Sequence, residues 1–361
     1  MDLVVTRPEG LYCPPGNFFI DPWRPVARAV ITHGHADHAR AGHDHYLSAA
    51  SGAGVLRTRL GPIPLQTLAY GEVIEHQGVK ISLHPAGHVL GSAQVRLEYQ
   101  GEVWVVSGDY KLDHDPTCTS FEPIRCHTFV TESTFGLPVY RWQDPAITLA
   151  EINRWWHQNA QLNQTSLIYA YSLGKGQRIL AGLDVSIGPI VTHRAFDPIN
   201  EVYRQEGVLL PTTQPVEALD AQSLRKALVL APPSAVIESR GKSSADDSHS
   251  DDEAPQATDL EPASRQPTRS RSWAGRLGAF SDAMASGWMQ VRGARRRRAL
   301  DRGFVMSDHA DWPGLIQAIQ ATHAERIIVT HGSASVLIRW LNENGWLAQR
   351  FETAYGEQED A

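Results

Sequence analysis

Short apolar runs recur along the chain, and glycine, proline and aspartate punctuate them. Residues 3 to 31 read as short strands turned at Pro14-Pro15-Gly16 and Asp21-Pro22, ending in the apolar run Pro25 to Ile31. Ala39 to Leu60 has a mostly helical pattern, broken by Gly52 and Gly54. Strand patterns return at Val79 to His84, Gln94 to Tyr99, Val103 to Asp109 and Thr128 to Glu132. A helix is expected over 145 to 160, then a strand from Ser166 to Tyr171 that enters a helix through Gly174-Lys175-Gly176. Strands and helices should go on alternating from Val185 to Ala231. Gly287 to Arg298 reads as a strand or hairpin with clustered arginines, and Gly303 to Asp311 as a strand running into a turn. Asp311 or Asp308 can cap a helix over 312 to 322. A buried strand from Arg326 to His331 follows, then a helix to about Asn344. The alternation predicts an α/β chain.

Chemistry gathers where these strands end. After the run to Ile31 come His33-Gly34-His35-Ala36-Asp37-His38, three imidazoles and a carboxylate. Borderline divalent metals such as zinc take these ligands. His33 and His35, two apart on extended backbone, point the same way. Asp37 and His38, entering a turn, can face a neighbouring position, as two adjacent metals would require. His88 lies in a turn flanked by Gly87 and Gly91, and Asp109 ends an apolar strand. A buried carboxylate there needs a cation or donors, which suits a ligand shared by two metals. Glu132 and His331 also end strands, and His309 follows one. His43 and His45 read as surface residues. The glycine turn at Lys175 offers helix N–H groups and a cation to an anion.

Composition narrows the class. The chain has 361 residues, 42% of them hydrophobic and 20% charged, enough for a large core. Its net charge of -7 leaves any nucleic-acid contact to a local basic patch, for which Arg295 to Arg298 are candidates. Cys13, Cys118 and Cys126 form no disulfide framework, in keeping with a reducing compartment. No signal peptide and no apolar run long enough to span a bilayer are present, so a cytoplasmic protein without a membrane partner is expected. From Gly241 to Arg271 large apolar residues almost vanish; this stretch reads as a disordered insert, acidic first and basic at its end. The tail after Tyr355 is acidic and expected to fray.

His33-x-His35-x-Asp37-His38, Ala86-Gly87-His88-Val89-Leu90-Gly91-Ser92-Ala93 and Asp109 resemble the metal-binding motifs of the metallo-β-lactamase superfamily. Glu132, His309 and His331 look like the three further motifs of its β-CASP branch, whose members are nucleases acting on RNA or DNA. Leu173 to Gln177 is similar to that branch's phosphate-proximal segment. Leu11 to Trp23, and Ser286-Gly287-Trp288 with the arginine run, look like the bacterial exonuclease-like proteins associated with an ATP-dependent DNA ligase and a helicase.

The resemblance implies a four-layer αββα sandwich with an inserted β-CASP α/β cap. Residues 1–140 and 303–361 would form the catalytic domain and 141–302 the cap, with the insert 241–271 inside it. It implies two divalent metals, zinc first and manganese second. His33, His35, His88 and Asp109 would hold one, and Asp37, His38, His331 and again Asp109 the other. Asp37, His309 and Glu132 would stand at the reacting centre, His309 meeting the scissile phosphate or leaving oxygen and Glu132 orienting it. Lys175, Arg178 and Arg295, Arg296, Arg297 and Arg298 would hold the substrate backbone. DNA is favoured over RNA as partner, with an RNA-processing nuclease as the alternative. A thioester, lactam or lactone hydrolase needs neither Glu132, His309 nor a cap. A catalytically dead nucleic-acid-binding subunit would normally have lost ligands, and every ligand position here is filled.

Overall fold

The computed structural model describes residues 2–235, 276–291 and 300–351. The expected insert at 241–271, the run Arg295 to Arg298 and the tail after Tyr355 lie outside the described residues. The chain divides into two compact units, one of Met1–Arg141 with Asp308–Ala361, the other Trp142–Ser307.

The first unit starts with six strands that lie side by side in sequence order. They are β1 (Val5–Arg7), β2 (Gly10–Cys13), β3 (Phe18–Ile20), β4 (Arg28–Val30), β5 (His45–Ala49) and β6 (Leu65–Leu68). A second sheet begins with β7 (Val73–His76), β8 (Val79–Pro85), β9 (Ala93–Tyr99), β10 (Glu102–Val106) and β11 (Thr128–Thr131). In the second unit, β12 (Thr165–Tyr169), β13 (Ile190–Thr192), β14 (Gln214–Pro215), β15 (Leu228–Ala231), β16 (Phe280–Ala285) and β17 (Arg302–Phe304) form a third sheet. The chain then returns to the first unit, where β18 (Arg326–Val329) and β19 (Leu347–Arg350) complete the second sheet in the order β19-β18-β11-β10-β9-β8-β7.

Alternation along the strands explains how the first unit packs. Leu11, Phe18, Ile20, Val30 and Leu47 of the first sheet share one core with Ile81, Leu83, Val95, Leu97, Trp104, Val106, Val130 and Ile328 of the second. The opposite side of the second sheet, through Val105, Phe129, Ile327 and Val329, meets Leu315 and Ile319 of helix Trp312–Thr322 and Leu337 and Leu341 of helix Ala334–Glu343. The period of two sends successive residues of each strand to opposite cores. Full burial of each such side chain contributes about 1.5–3 kcal/mol.

The third sheet is parallel throughout, in the order β14-β13-β15-β12-β16-β17. Ile168, Leu228, Leu230 and Ala283 pack on one face with Trp155 and Trp156 of helix Pro145–Gln161. Leu167, Tyr169, Val229 and Met284 pack on the other. Burial on both sides is why β15, Leu228 to Ala231, reads as a continuous apolar run.

Three local expectations change. Ala39 to Leu60 is helical only from Ala53; His45–Ala49 is a strand, because β4 and β6 take up its backbone groups on both sides. His43 is buried rather than on the surface, and its Nδ1 accepts the Val26 N–H at 3.3 Å; His45 is exposed. Gly287–Gln290 is a 3-10 turn capped by Ser286, whose Oγ accepts the Trp288 N–H at 3.3 Å. Asp311 caps helix Trp312–Thr322, with its Oδ1 accepting the Gly314 N–H at 2.9 Å. Among the described residues no helix is long and apolar enough to cross a membrane.

Candidate metal centre

Strand direction places the cluster. β10, β11 and β18 are adjacent and parallel, and β8 runs the same way because antiparallel β9 separates it from β10. The chain leaves the C-terminal ends of these four strands toward His88, Asp109, Glu132 and His331. From the first sheet, β3 leads into Asp21 and β4 into His33 to His38. Asp21 and His331 are non-glycine residues with φ of 44° and 50°, so each turns the chain sharply off its strand end. Gly332 follows with φ +65°, and a Cβ on it would collide with the Ser133 carbonyl oxygen.

Two compact groups of ligand atoms result, each with its atoms within 4.8 Å of one another. One is His33, His35, His88 and Asp109; the other is Asp37, His38 and Asp109. Asp109 Oδ2 lies 3.3 Å from His33 Nε2, 3.3 Å from His38 Nε2 and 3.7 Å from His88 Nε2. His35 Nδ1 is 3.1 Å from His33 Nε2 and 3.0 Å from His88 Nε2. His331 belongs to neither compact group; its ring stacks on His38 with centroids 5.5 Å apart. A third group joins Asp109 to Glu132 and His309, and His309 Nδ1 meets Glu132 Oε2 at 2.8 Å.

These residues fit a bound cation. The Asp308 carbonyl lies 2.9 Å from His88 Nδ1 and requires a proton there, leaving Nε2 a bare lone pair. Asp21 Oδ2, 2.7 Å from His38 Nδ1, does the same for His38. His38 Nε2 is buried without a hydrogen-bond partner, yet faces Asp109 at 3.3 Å and Asp37 at 3.4 Å. Bare nitrogens and carboxylate oxygens so close repel one another unless positive charge lies between them.

The electrostatics of four imidazoles favour the neutral ring, whereas at His38 the surrounding carboxylates draw positive charge onto the ring itself when no cation is bound. Burial, with neighbouring imidazoles adding to it, pushes His33, His35, His88 and His331 toward the neutral ring that binds metal, and His35 falls to about 3. Burial also opposes a charge on His38, but Asp109, Asp37 and Asp21 outweigh it and raise this ring well above its ordinary value. For Asp109 burial favours the neutral acid, while His38, His309 and the bond from His33 hold the carboxyl well below its usual range.

Several contributors carry no mark in the sequence spacing. Asp21 reads there only as a turn residue, yet its carboxylate takes the Thr32 N–H at 2.8 Å, the Thr32 hydroxyl at 2.5 Å and the His38 ring. Glu132 is held by the Tyr110 N–H at 2.8 Å and by Thr134 Oγ1 at 2.6 Å. Replacing Asp21 with Asn keeps its shape and removes its charge. Asp21→Asn should weaken metal retention about 10- to 100-fold, read by competition with a chelator; retention equal to wild type would deny Asp21 any hold on His38.

The expected substrate contacts sit differently. Lys175 is buried, with Nζ 4.6 Å from the Tyr171 ring centroid. Arg178 is buried too, and its Nη1 donates to the Ser307 carbonyl at 2.7 Å. Arg295 to Arg298 lie outside the described residues.

No family model matches the chain. Over 341 residues it is 28% identical to a "Probable DNA ligase" of Opitutus terrae, covering 93% of this chain and 30% of that protein. Over 123 residues it is 29% identical to cleavage and polyadenylation specificity factor subunit 3 of Dictyostelium discoideum, and 28% to the endoribonuclease YSH1 of Saccharomyces cerevisiae. Those two matches cover 33% of this chain and 16% and 15% of the relatives. The chain resembles the β-CASP branch of the metallo-β-lactamase superfamily. It spans less than a third of the length of each of these relatives. A crystal structure of a protein of unknown function from Enterococcus faecalis shares the fold, with a TM-score of 0.54 and 12% identity over 91% of this chain and 80% of that one.

Proposed function

We propose that the chain is a metal-dependent nuclease that hydrolyses phosphodiester bonds with two divalent ions, zinc first among them. The observation that carries this reading is the sharing of Asp109 by two ligand groups, with the His309–Glu132 pair beside them. His33, His35, His88 and Asp109 would hold one ion, and Asp37, His38 and Asp109, with His331 behind them, the other. When bound, such a pair activates water and neutralises charge on the phosphoryl oxygens.

The chain's own residues supply the rest. Glu132, fixed by Tyr110 and Thr134, accepts a hydrogen bond from the Nδ1–H of His309 and so orients the ring. Burial disfavours charge on His309, but Glu132, Asp109 and Asp308 outweigh it and raise the ring to about 9. His309 thus keeps a proton on Nε2 at neutral pH, placed to reach a leaving oxygen. Beside the second group a recess of ≈ 30 Å³, lined by Trp23, Asp37, His38, Ser107, Gly108 and His331, has room for water.

The reading extends to architecture and partners. The helices packed on the second sheet, the two sheets sharing a core, and the Leu56 of helix Ala53–Leu60 packed with Ala29, Ile31 and Tyr46 support a four-layer αββα sandwich. The second unit, Trp142–Ser307, would be the β-CASP cap, and the two flanking segments the catalytic domain. DNA is the favoured substrate, trimmed exonucleolytically in the cytoplasm during repair with an ATP-dependent DNA ligase and a helicase. The similarity over most of this chain to a protein named as a DNA ligase supports that. The similarity to the endoribonuclease YSH1 favours RNA processing as the second reading. Incubating the protein with end-labelled single- and double-stranded DNA and RNA, with zinc or manganese, separates them. Shortening of DNA from its ends is expected. Preference for RNA would support the second reading, and no cleavage of any substrate by metal-replete protein would defeat both.

A further inference from the structure

Helix Ala53–Leu60 touches both loops that bring histidines to the first ligand group. Its Leu56 is buried with Ala29 and Ile31, at the end of the apolar run that leads into His33. Arg59, three residues on and so on the same side of the helix, lies half-buried, and its Nη1 donates to the Gly34 carbonyl. At the other end, Gly52 precedes the helix and packs against Gly91, where a Cβ on Gly91 would collide with its backbone. Gly91 belongs to the turn that carries His88. There Ser92 Oγ accepts the His88 N–H at 3.1 Å and the Val89 N–H at 3.2 Å. All these residues lie within the first unit.

Within the histidine loop, the His35 carbonyl serves the loop's own turn, accepting the Ala39 N–H at 2.8 Å and the His38 N–H at 3.2 Å. The Gly34 carbonyl is buried and accepts from the guanidinium instead. A buried carbonyl left without its donor is costly, and a charged planar donor fixes direction as well as strength. That peptide links Gly34 to His35, one residue after His33, so holding it holds the spacing of the two rings. Burial disfavours charge on Arg59, and the nearby Asp37 carboxylate works against that, so the guanidinium also sits beside a ligand of the second group. We infer that Arg59 is a positioning residue of the metal centre: by holding the Gly34 carbonyl it sets His33 and His35 against His88, whose turn rests on the other end of the same helix. The competing use of a half-buried arginine here is a direct phosphate contact, and the two uses lead to different results.

The metal readouts rest on the two-ion reading and the catalytic ones on the nuclease reading; amide exchange rests on neither. Arg59→Met keeps the apolar stem and removes donor and charge, whereas Arg59→Lys keeps a donor and the charge. Both are compared with wild type in the full chain. In Arg59→Met, amide exchange over 33–39 should quicken about tenfold or more. Competition with a chelator should show metal held about 10- to 100-fold more weakly. The visible absorption of the cobalt(II)-loaded protein should shift as the bound histidines move. Arg59→Lys should recover most of the retention and the wild-type spectrum. With a labelled single-stranded DNA, kcat should fall in Arg59→Met while KM stays within about twofold, and the salt dependence of binding should match wild type. Unaltered exchange and metal retention, with a raised KM and a log–log salt slope smaller by about one, would make Arg59 a phosphate ligand and overturn the inference. Quickened exchange with unaltered metal retention would overturn it too, because the loop would then be fastened without effect on its ligands. If the wild type cleaves nothing or holds no metal, those readings fail, yet exchange over 33–39 still decides whether Arg59 fastens the loop. Should Arg59→Met not fold, Arg59→Gln, polar but uncharged, takes its place, and wild-type exchange and retention there would refute the positioning role.

Discussion

Asp109→Ala is expected to fold and to lose its metals: about two ions per chain in wild type, well under one in the variant, with nuclease turnover reduced at least about 1,000-fold. The reason is that one carboxylate serves both groups. His33, His38 and His88 all present Nε2 to Asp109 Oδ2 within 3.7 Å, and no other acid belongs to the first group. Without it, the first site keeps three buried imidazoles and no anion. The second keeps Asp37 and His38, with His331 stacked behind. Elemental analysis after gel filtration reads the metal, and the melting temperature reads the fold. Asp109→Asn is the companion variant, because it keeps the shape and one acceptor oxygen while removing the charge. If charge-sharing is the cause, Asn should lose metal nearly as completely as Ala. Full occupancy in either variant, or one tightly held ion in wild type, would refute the shared-ligand arrangement.

The candidate ligands are legible in the sequence because each sits where an apolar strand stops. A strand such as Val103 to Val106 is recognisable from its residues alone, and a carboxylate three positions beyond it needs a reason to be there. His33 to His38 carry their own spacing. The residues that orient these ligands were not legible, since their roles arise from contacts across long stretches of sequence. Asp21 meets His38 and the Asp308 carbonyl meets His88 across a separation of 220 residues in the latter case. A turn aspartate and a backbone carbonyl have no signature in one dimension. Arg178 shows another limit: an arginine just past a glycine turn reads as an anion contact, while its burial and its carbonyl partner appear only in three dimensions. The strand His45–Ala49 was missed for a related reason. Its flanking partners β4 and β6, not its own pattern, determine its conformation.

His309→Ala should separate chemistry from metal binding, keeping both ions while kcat falls about 100- to 10,000-fold. The geometry makes the two separable. His309 Nδ1 is engaged by Glu132 rather than turned to the other imidazoles, and Glu132 is itself held by Tyr110 and Thr134. The four ligands of the first group are complete without it, and so are the three of the second. Its ring does lie against His88, with centroids 4.7 Å apart, so Ala leaves a gap beside a ligand. His309→Gln fills that gap with a side chain that cannot carry a transferable proton. Equal losses in kcat for Ala and Gln, with KM for DNA and metal content held, would assign the loss to the proton. Glu132→Gln should then follow at a smaller loss, because the ring stays in place but loses the carboxylate that orients and charges it. Loss of metal in both His309 variants would instead make His309 a ligand, and the third group, with Asp109 and Glu132, would become a binding site rather than the acid that releases the leaving strand.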